Sequence, residues 1–332
     1  MFRQTSNICS QGTCCPGAHT RGLLLSCVII GFSTLCLGQT AAKESARKGS
    51  IPKPVLVSIL RAEDERRWDG DLRSLIADKN PSVRRRAALA AGRIGREEAT
   101  SELATLLNEK DAEIRAIAAF AIGEIESEAG ANVLLAVVQN TAGSGEARAR
   151  AIEALGKIAA ALPKGQETRA RELGATILEA LKLEAARRSA ADRLTVLLGL
   201  TAALRAKPAN AGPVIAEFLS YSDPRVRADA ANALARLRAK DGNDQLRKIL
   251  TTDPDPIVRA NAARVLGATE DKLAFAALAD RALKDVDSRV RVSAIRALAS
   301  LKDANAADPL LKRGATLAQQ DPRTLPSEVN EI

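Results

Sequence analysis

From residue 78 onward, apolar positions recur three and four residues apart, in phrases that repeat along the chain: "NPSVRRRAALAAGRIG" (80–95), "DAEIRAIAAFAIGEI" (111–125), "DPRVRADAANALARL" (223–237) and "DPDPIVRANAARVLG" (253–267). Within one phrase Val258, Ala262, Val265 and Leu266 fall on one helical stripe; in another Val290, Ala294, Ala297, Leu298 and Leu301 do so. The phrases align on an apolar residue followed by Arg: Val83-Arg84, Ile114-Arg115, Ala147-Arg148, Val226-Arg227, Val258-Arg259 and Val290-Arg291. Neighbouring anchors lie 31, 33, 32 and 32 residues apart, with one gap of 79 between the third and fourth. A fixed period of this length is the signature of a solenoid.

Three residues before each anchor stands a helix-capping type: Asn80, Asp111, Ser144, Asp223, Asp255 and Asp287. Such side chains accept from the open N–H groups of a first turn. Pro81, Pro224 and Pro256 follow three of them, at the first helical position, where the missing N–H costs nothing. Nine residues beyond the anchor the chain carries Gly92, Gly123, Gly156, Ala235, Gly267 or Ala299. A glycine inside a helix costs about 1 kcal/mol relative to alanine, so this small position implies a close neighbour. A second amphipathic stretch follows each phrase, such as "EATSELATLLNE" (98–109) and "EAGANVLLAVVQ" (128–139). Each repeat therefore reads as two antiparallel helices.

The Arg after each anchor falls in the first turn of its helix, where the macrodipole disfavours a cation. Its recurrence calls for an acceptor: an Asp or a carbonyl at the repeat junction, making a structural ladder of Arg84, Arg115, Arg148, Arg227, Arg259 and Arg291, or else a row that binds anions. The ladder is the expected role, since a residue required in every repeat is usually required by the repeat itself. The 79-residue gap is expected to hold one divergent repeat, about 159–212, with "ETRARELGATILEALKLEAARR" and "ADRLTVLLGLTAAL" (191–204) as its helices and "RAKPANAGP" as a linker. Residues 51–78 supply an opening helix pair, and "DANAADPLLKRGATLAQQD" (303–321) closes the last one. The whole predicts an all-α superhelix of about eight helix pairs over 51–320.

Composition fits that picture. Hydrophobic residues make up 46% of the 332, but aromatics only 2%, so the core must be Ala, Leu, Val and Ile, as in closely packed helices. All five cysteines lie before residue 37, and the only histidine, His19, lies there too. The same segment holds Arg3 and Arg21 and then the apolar run "GLLLSCVIIGFSTLCLG" (22–38). A cationic stretch, an apolar run short of the roughly 20 residues a spanning helix needs and small residues after it form a secretory signal pattern. Residues 1–38 are thus expected to be a signal peptide, or alternatively a membrane anchor through 22–38, followed by a flexible tether at 39–50. The 21 residues ahead of the apolar run are long for such a leader, which points to a start downstream of Met1. Removing 1–38 deletes Arg3 and Arg21 and takes the net charge from +9 to +7.

The expected location is accordingly exported, periplasmic or extracellular. A chain without His or Cys beyond residue 38 has no His-based triad, no thiol nucleophile and no His- or Cys-ligated metal. No GxxxxGK[ST] or GxGxxG phosphate loop occurs, and the carboxylates sit at caps and exposed helix faces. No catalytic, cofactor-binding or metal-binding residue is assigned. Arg84-Arg85-Arg86 and Arg187-Arg188 suggest nucleic acid, but acids interleave throughout and no aromatic platform exists for stacking bases.

The phrase D-P-x-V-R-x-x-A-A-x-A-L-G-x-I resembles the short HEAT repeat, of the type also called phycobilisome-lyase-like, over about residues 78–312. The resemblance implies a right-handed α-solenoid whose second helices line a concave face. It also admits lyase-like or nucleic-acid-binding relatives. In addition, "ILRAEDERRWDGDLRSLI" followed by the first repeat resembles the arm that precedes a cyclophilin-type peptidyl-prolyl isomerase domain in exported bacterial proteins. That resemblance implies a catalytic domain beyond Ile332. "PRTLPSEVNEI" (322–332) reads as the start of a further segment, with Ser327 as a cap, so the chain is expected to be truncated there. The expected function is a monomeric, cofactor-free scaffold that binds a protein or peptide partner and no nucleic acid, touching a membrane only through an uncleaved leader. The alternative is the isomerase arm.

Overall fold

The computed structural model describes residues 49–319. The leader, most of the tether and the segment from 321 onward lie outside the described residues, and so do the readings made of them.

Sixteen α-helices follow one another without a strand among the described residues, and they fall into eight consecutive pairs. These are α1 (Lys53–Asp64) with α2 (Gly70–Leu75), α3 (Pro81–Ile94) with α4 (Thr100–Leu106), and α5 (Ala112–Ile125) with α6 (Ala131–Gln139). Next come α7 (Gly145–Ala161) with α8 (Glu167–Arg187), then α9 (Arg193–Ala206) with α10 (Ala211–Ala216). The last three pairs are α11 (Pro224–Leu237) with α12 (Asn243–Thr252), α13 (Pro256–Ala268) with α14 (Phe275–Lys284), and α15 (Ser288–Leu301) with α16 (Ala307–Ala318). A single 3-10 turn leads into α4, α6, α14 and α16, and it bends the chain back within a few residues of the preceding helix.

The first helices stack directly on one another, α3 on α5, α5 on α7, α7 on α9, α11 on α13 and α13 on α15. Small residues set the spacing. A Cβ built on Gly92 would stand 2.7 Å from the Ala121 Cα; on Gly123, 2.6 Å from the Ala154 Cβ; on Gly156, 2.5 Å from the Ala202 Cα; and on Gly267, 2.7 Å from the Ala297 Cα. Backbone meets backbone at each of these junctions, and that contact offsets the helix-propensity cost of glycine. All six anchors, Val83, Ile114, Ala147, Val226, Val258 and Val290, are buried in the continuous seam between repeats.

Two expectations need correction. The stretch 159–212 is not a repeat made of α8 and α9. The 21-residue α8 closes the pair begun by α7, while α9 occupies the place of a first helix, packed on α7 through Gly156 and Ala202. Here Asp192 caps the helix by accepting from the Thr195 N–H at 2.7 Å, and Thr195-Val196 stand where other repeats have an apolar residue and Arg. The phrase escaped alignment because its Arg is missing. The linker is also shorter than "RAKPANAGP" suggests: α9 runs to Ala206 and α10 begins at Ala211.

Candidate functional site

One edge of the stack carries the recurring arginines, and their geometry is nearly the same from repeat to repeat. The cap side chains hold the starts of the helices. Asn80 accepts from the Ser82 amide at 2.9 Å, Asp111 from Glu113 at 2.9 Å, Asp223 from Arg225 at 2.7 Å, Asp255 from Ile257 at 2.8 Å and Asp287 from Arg289 at 2.9 Å. Ser144 makes the weakest of these contacts, 3.5 Å from the Ala147 amide.

Inside that turn the Arg folds back. One terminal nitrogen of Arg84 donates to the carbonyls of Asp78 and Lys79 at 2.8 and 3.3 Å, and Arg115 donates to those of Glu109 and Lys110 at 2.6 and 2.8 Å. The same nitrogen of Arg227 reaches Tyr221 and Ser222 at 2.9 and 2.8 Å; that of Arg259 reaches Asp253 and Pro254 at 2.9 and 3.2 Å; that of Arg291 reaches Asp285 and Val286 at 2.7 and 3.2 Å. The acceptors lie six and five residues before the Arg. They belong to the connection entering its own helix, so each guanidinium ties down that connection.

The other edge of the guanidinium points across the junction to the next repeat. Arg227 donates through Nε and a terminal nitrogen to both oxygens of Asp253 at 2.8 and 3.0 Å, and Arg259 does the same to Asp285 at 3.0 and 2.8 Å. Arg84 meets Glu109 at 3.1 and 3.4 Å. Such two-point pairing is strong and fixes orientation. Asp253 and Asp285 thus serve two arginines each, with the carboxylate for the preceding repeat and the carbonyl for their own. Their carboxylates also accept from the amides of Asp255 at 2.9 Å and Asp287 at 3.0 Å. Burial pushes the Asp285 carboxyl up, but the bonds from Arg259 and the Asp287 amide outweigh it and hold its pKa below the ordinary carboxylate value. Arg259 in turn is raised, chiefly by its bond to Asp285. At Asp287 the Arg289 side chain lowers the pKa to about 2.

The residue six before the Arg was the missing half of the sequence pattern. It is Asp78, Glu109, Ala142, Tyr221, Asp253 and Asp285 in turn. An alignment extended upstream shows it as acidic four times in six. The acceptor of Arg148 could not be found that way, because it is Glu184, near the end of α8. Glu184 is fully buried; it accepts from Arg148 at 3.0 Å, from Arg187 at 3.1 Å and from the Asp192 amide at 2.8 Å. Its carboxylate thus accepts, as those of Asp253 and Asp285 do, from the preceding repeat's Arg and from the cap amide of the next first helix.

Three cavities open on this edge, one of about 600 Å³ beside Arg84 and Glu109 at a complete rung and two where the pattern departs from its norm. One of about 330 Å³ is lined by Leu107, Asn108, Arg115, Val133, Val137 and Asn140 among others. The second, of about 540 Å³, lies by Arg188, Phe218 and Tyr221. Among the described residues no group of His, Cys, Asp and Glu could hold a metal ion, and no helix is long and apolar enough to cross a membrane.

Residues 70–156 and 243–324, just over half of the chain, match the family model described as HEAT repeats. No curated protein matches the chain. Among solved structures, the X-ray structure of YibA from E. coli is similar at 21% identity, covering 85% of this chain and 97% of that one with a TM-score of 0.60. An engineered protein is similar at 22% identity, covering 90% and 85% with a TM-score of 0.52. At 19% identity, the complex of CpcE and CpcF of phycocyanin lyase from Nostoc covers 73% and 90% with a TM-score of 0.44. These likenesses are of fold alone.

Proposed function

The chain belongs to the HEAT-repeat family, and on that premise we propose that it is a non-catalytic scaffold binding a protein or peptide partner along its repeats. The observation that carries this reading is the unequal burial of the two helices in most of the pairs. First helices are consumed by the stack: nine of the thirteen residues of α13 and seven of the fourteen of α5 are buried. Second helices mostly are not, the short α10 with four of its six residues buried being the exception. Only Leu246, Ile249 and Leu250 are buried in the ten residues of α12, and only Leu278 and Ala282 in the ten of α14. A long row of half-exposed helices offers area at little cost in further ordering, as repeat proteins do when they bind extended partners.

The cationic and apolar leader supports an exported chain, so the partner is sought in the cell envelope. The isomerase-arm reading draws no support from the comparisons, and the lyase likeness is too distant to carry one.

Photo-crosslinkers placed in turn on exposed positions of the second helices and of the first helices of the full chain, activated in the native cell, test the reading. One saturable partner crosslinked from consecutive second helices is the expected result. Crosslinks no more frequent than those of a scrambled surface, or confined to first helices, would overturn it.

A further inference from the structure

At five of the six junctions between consecutive first helices from α3 to α15, the ladder is either complete or absent on both sides; at one it is half made. Arg84 has Glu109, Arg227 has Asp253, and Arg259 has Asp285. Arg148 has lost the regular acid, since Ala190 stands six residues before the Arg position of α9, yet Glu184 fills in for it. Between α9 and α11 both members change together: Val196 stands for the Arg and Tyr221 for the acid. Arg115 alone keeps its guanidinium while the matching position is Ala142, which is exposed. Its one terminal nitrogen is held by the carbonyls of Glu109 and Lys110, and no carboxylate among the described residues meets the rest.

The unpaired edge opens on the cavity of about 330 Å³, not on another side chain. Leu107 and Ala147 are buried in its floor and Val133 and Val137 half-buried, while Asn108 and Asn140 stand exposed on its rim. The carbonyl bonds fix the guanidinium in the orientation it has at the complete junctions, so it is set in advance for a planar carboxylate.

We propose that the Arg115 cavity binds the free C-terminal carboxylate of a peptide ending in an aliphatic residue. The carboxylate takes the place that Asp253 and Asp285 hold at other junctions. The aliphatic side chain, on the same Cα, lies on Leu107, Val133 and Val137. An internal Asp fits less well, because its single methylene would bring polar backbone over that apolar floor. The rim amides of Asn108 and Asn140 are placed for the last peptide group. This deepens the scaffold reading and rests on it, while a partner could also be held elsewhere along the second helices.

N-Acetylleucine, N-acetylleucinamide and N-acetylaspartate N-methylamide are titrated into the 15N-labelled full chain, following the Arg115 Nε–H signal, which is assigned by its loss in Arg115→Lys. The free acid is expected to shift that signal saturably, and the amide to bind at least roughly tenfold more weakly, since it lacks the charge. Ala142→Asp, which supplies the missing acid from within, is expected to abolish the response while leaving the crosslinked partner of the second helices in place. The proposal is overturned if the free acid gives no saturable shift, if the amide binds equally, or if the aspartate derivative binds as well as N-acetylleucine. Loss of the crosslinked partner with an intact N-acetylleucine response would instead count against the scaffold reading alone.

Discussion

At the level of single residues, the weight of the structure falls on a few buried charges. Arg259 and Asp285 pair at two points with the carboxylate side chain 1% exposed. Removing Arg259 leaves the buried Asp285 carboxylate with only the Asp287 amide at 3.0 Å and the longer 3.6 Å contact to Arg281, so Arg259→Ala should cost about 2–4 kcal/mol, read as a lower melting midpoint with helicity retained and crosslinking to the partner largely intact. Unchanged melting with lost crosslinking would make the row a ligand site. The acid side of the ladder also sets a pH dependence. Asp285 and Asp287 are lowered from the ordinary 3.8, the latter to about 2. The unfolded chain therefore takes up protons first, and the stability from these groups is present above the ordinary carboxylate range and lost as the pH falls below it, for Asp287 through about 2. Asp285→Asn should be less stable than the parent at neutral pH yet lose less on acidification, as urea melts across that range would show. Arg and cap positions were legible in the sequence because they recur at constant offset from an apolar anchor. Glu184 was not, for it reaches Arg148 from 36 residues downstream and from inside a helix.

Helix by helix, the decisive contact is glycine on alanine backbone. Gly156→Ala removes the propensity penalty, a gain of about 1 kcal/mol. The new Cβ, however, would lie 2.5 Å from the Ala202 Cα, a backbone atom that no rotamer change can move aside. Overpacking of this kind costs about 1–3 kcal/mol, so a net loss of about 1 kcal/mol is expected in denaturant melts. Gly145→Ala meets nothing within 4 Å and should be neutral or slightly stabilising, which separates packing from propensity. The small position nine residues after the anchor announced this close approach before any coordinates. The pairing of α8 and α9 was misread because periodicity gives helices but not partners. The Ala202 that faces Gly156 lies in a phrase whose Arg had become Val196, and only the packing reveals it as a first helix.

For the whole molecule, eight helix pairs share one seam, and each touches mainly its neighbours, so stability should be a sum of local terms rather than a single all-or-none property. Excising 224–255 joins Asp223 to Pro256, keeps the cap and brings Arg259 to the carbonyls of Tyr221 and Ser222. Far-UV circular dichroism should then show unchanged helicity per residue, with a lower midpoint; loss of the helical signal would mean the stack is not modular. The solenoid was legible from its period alone, whereas the open junction was not, since a missing acid is visible only against the full set of rungs. That difference between closed and open rungs can be measured on one pair of variants, Arg259→Ala and Arg115→Ala, unfolded thermally side by side. Arg259→Ala breaks a two-point ion pair as well as two carbonyl bonds, and Arg115→Ala breaks carbonyl bonds only, so Arg115→Ala should lower the midpoint by no more than about half as much. Equal losses would mean that Arg115 is a closed structural rung and that no carboxylate is missing from its junction.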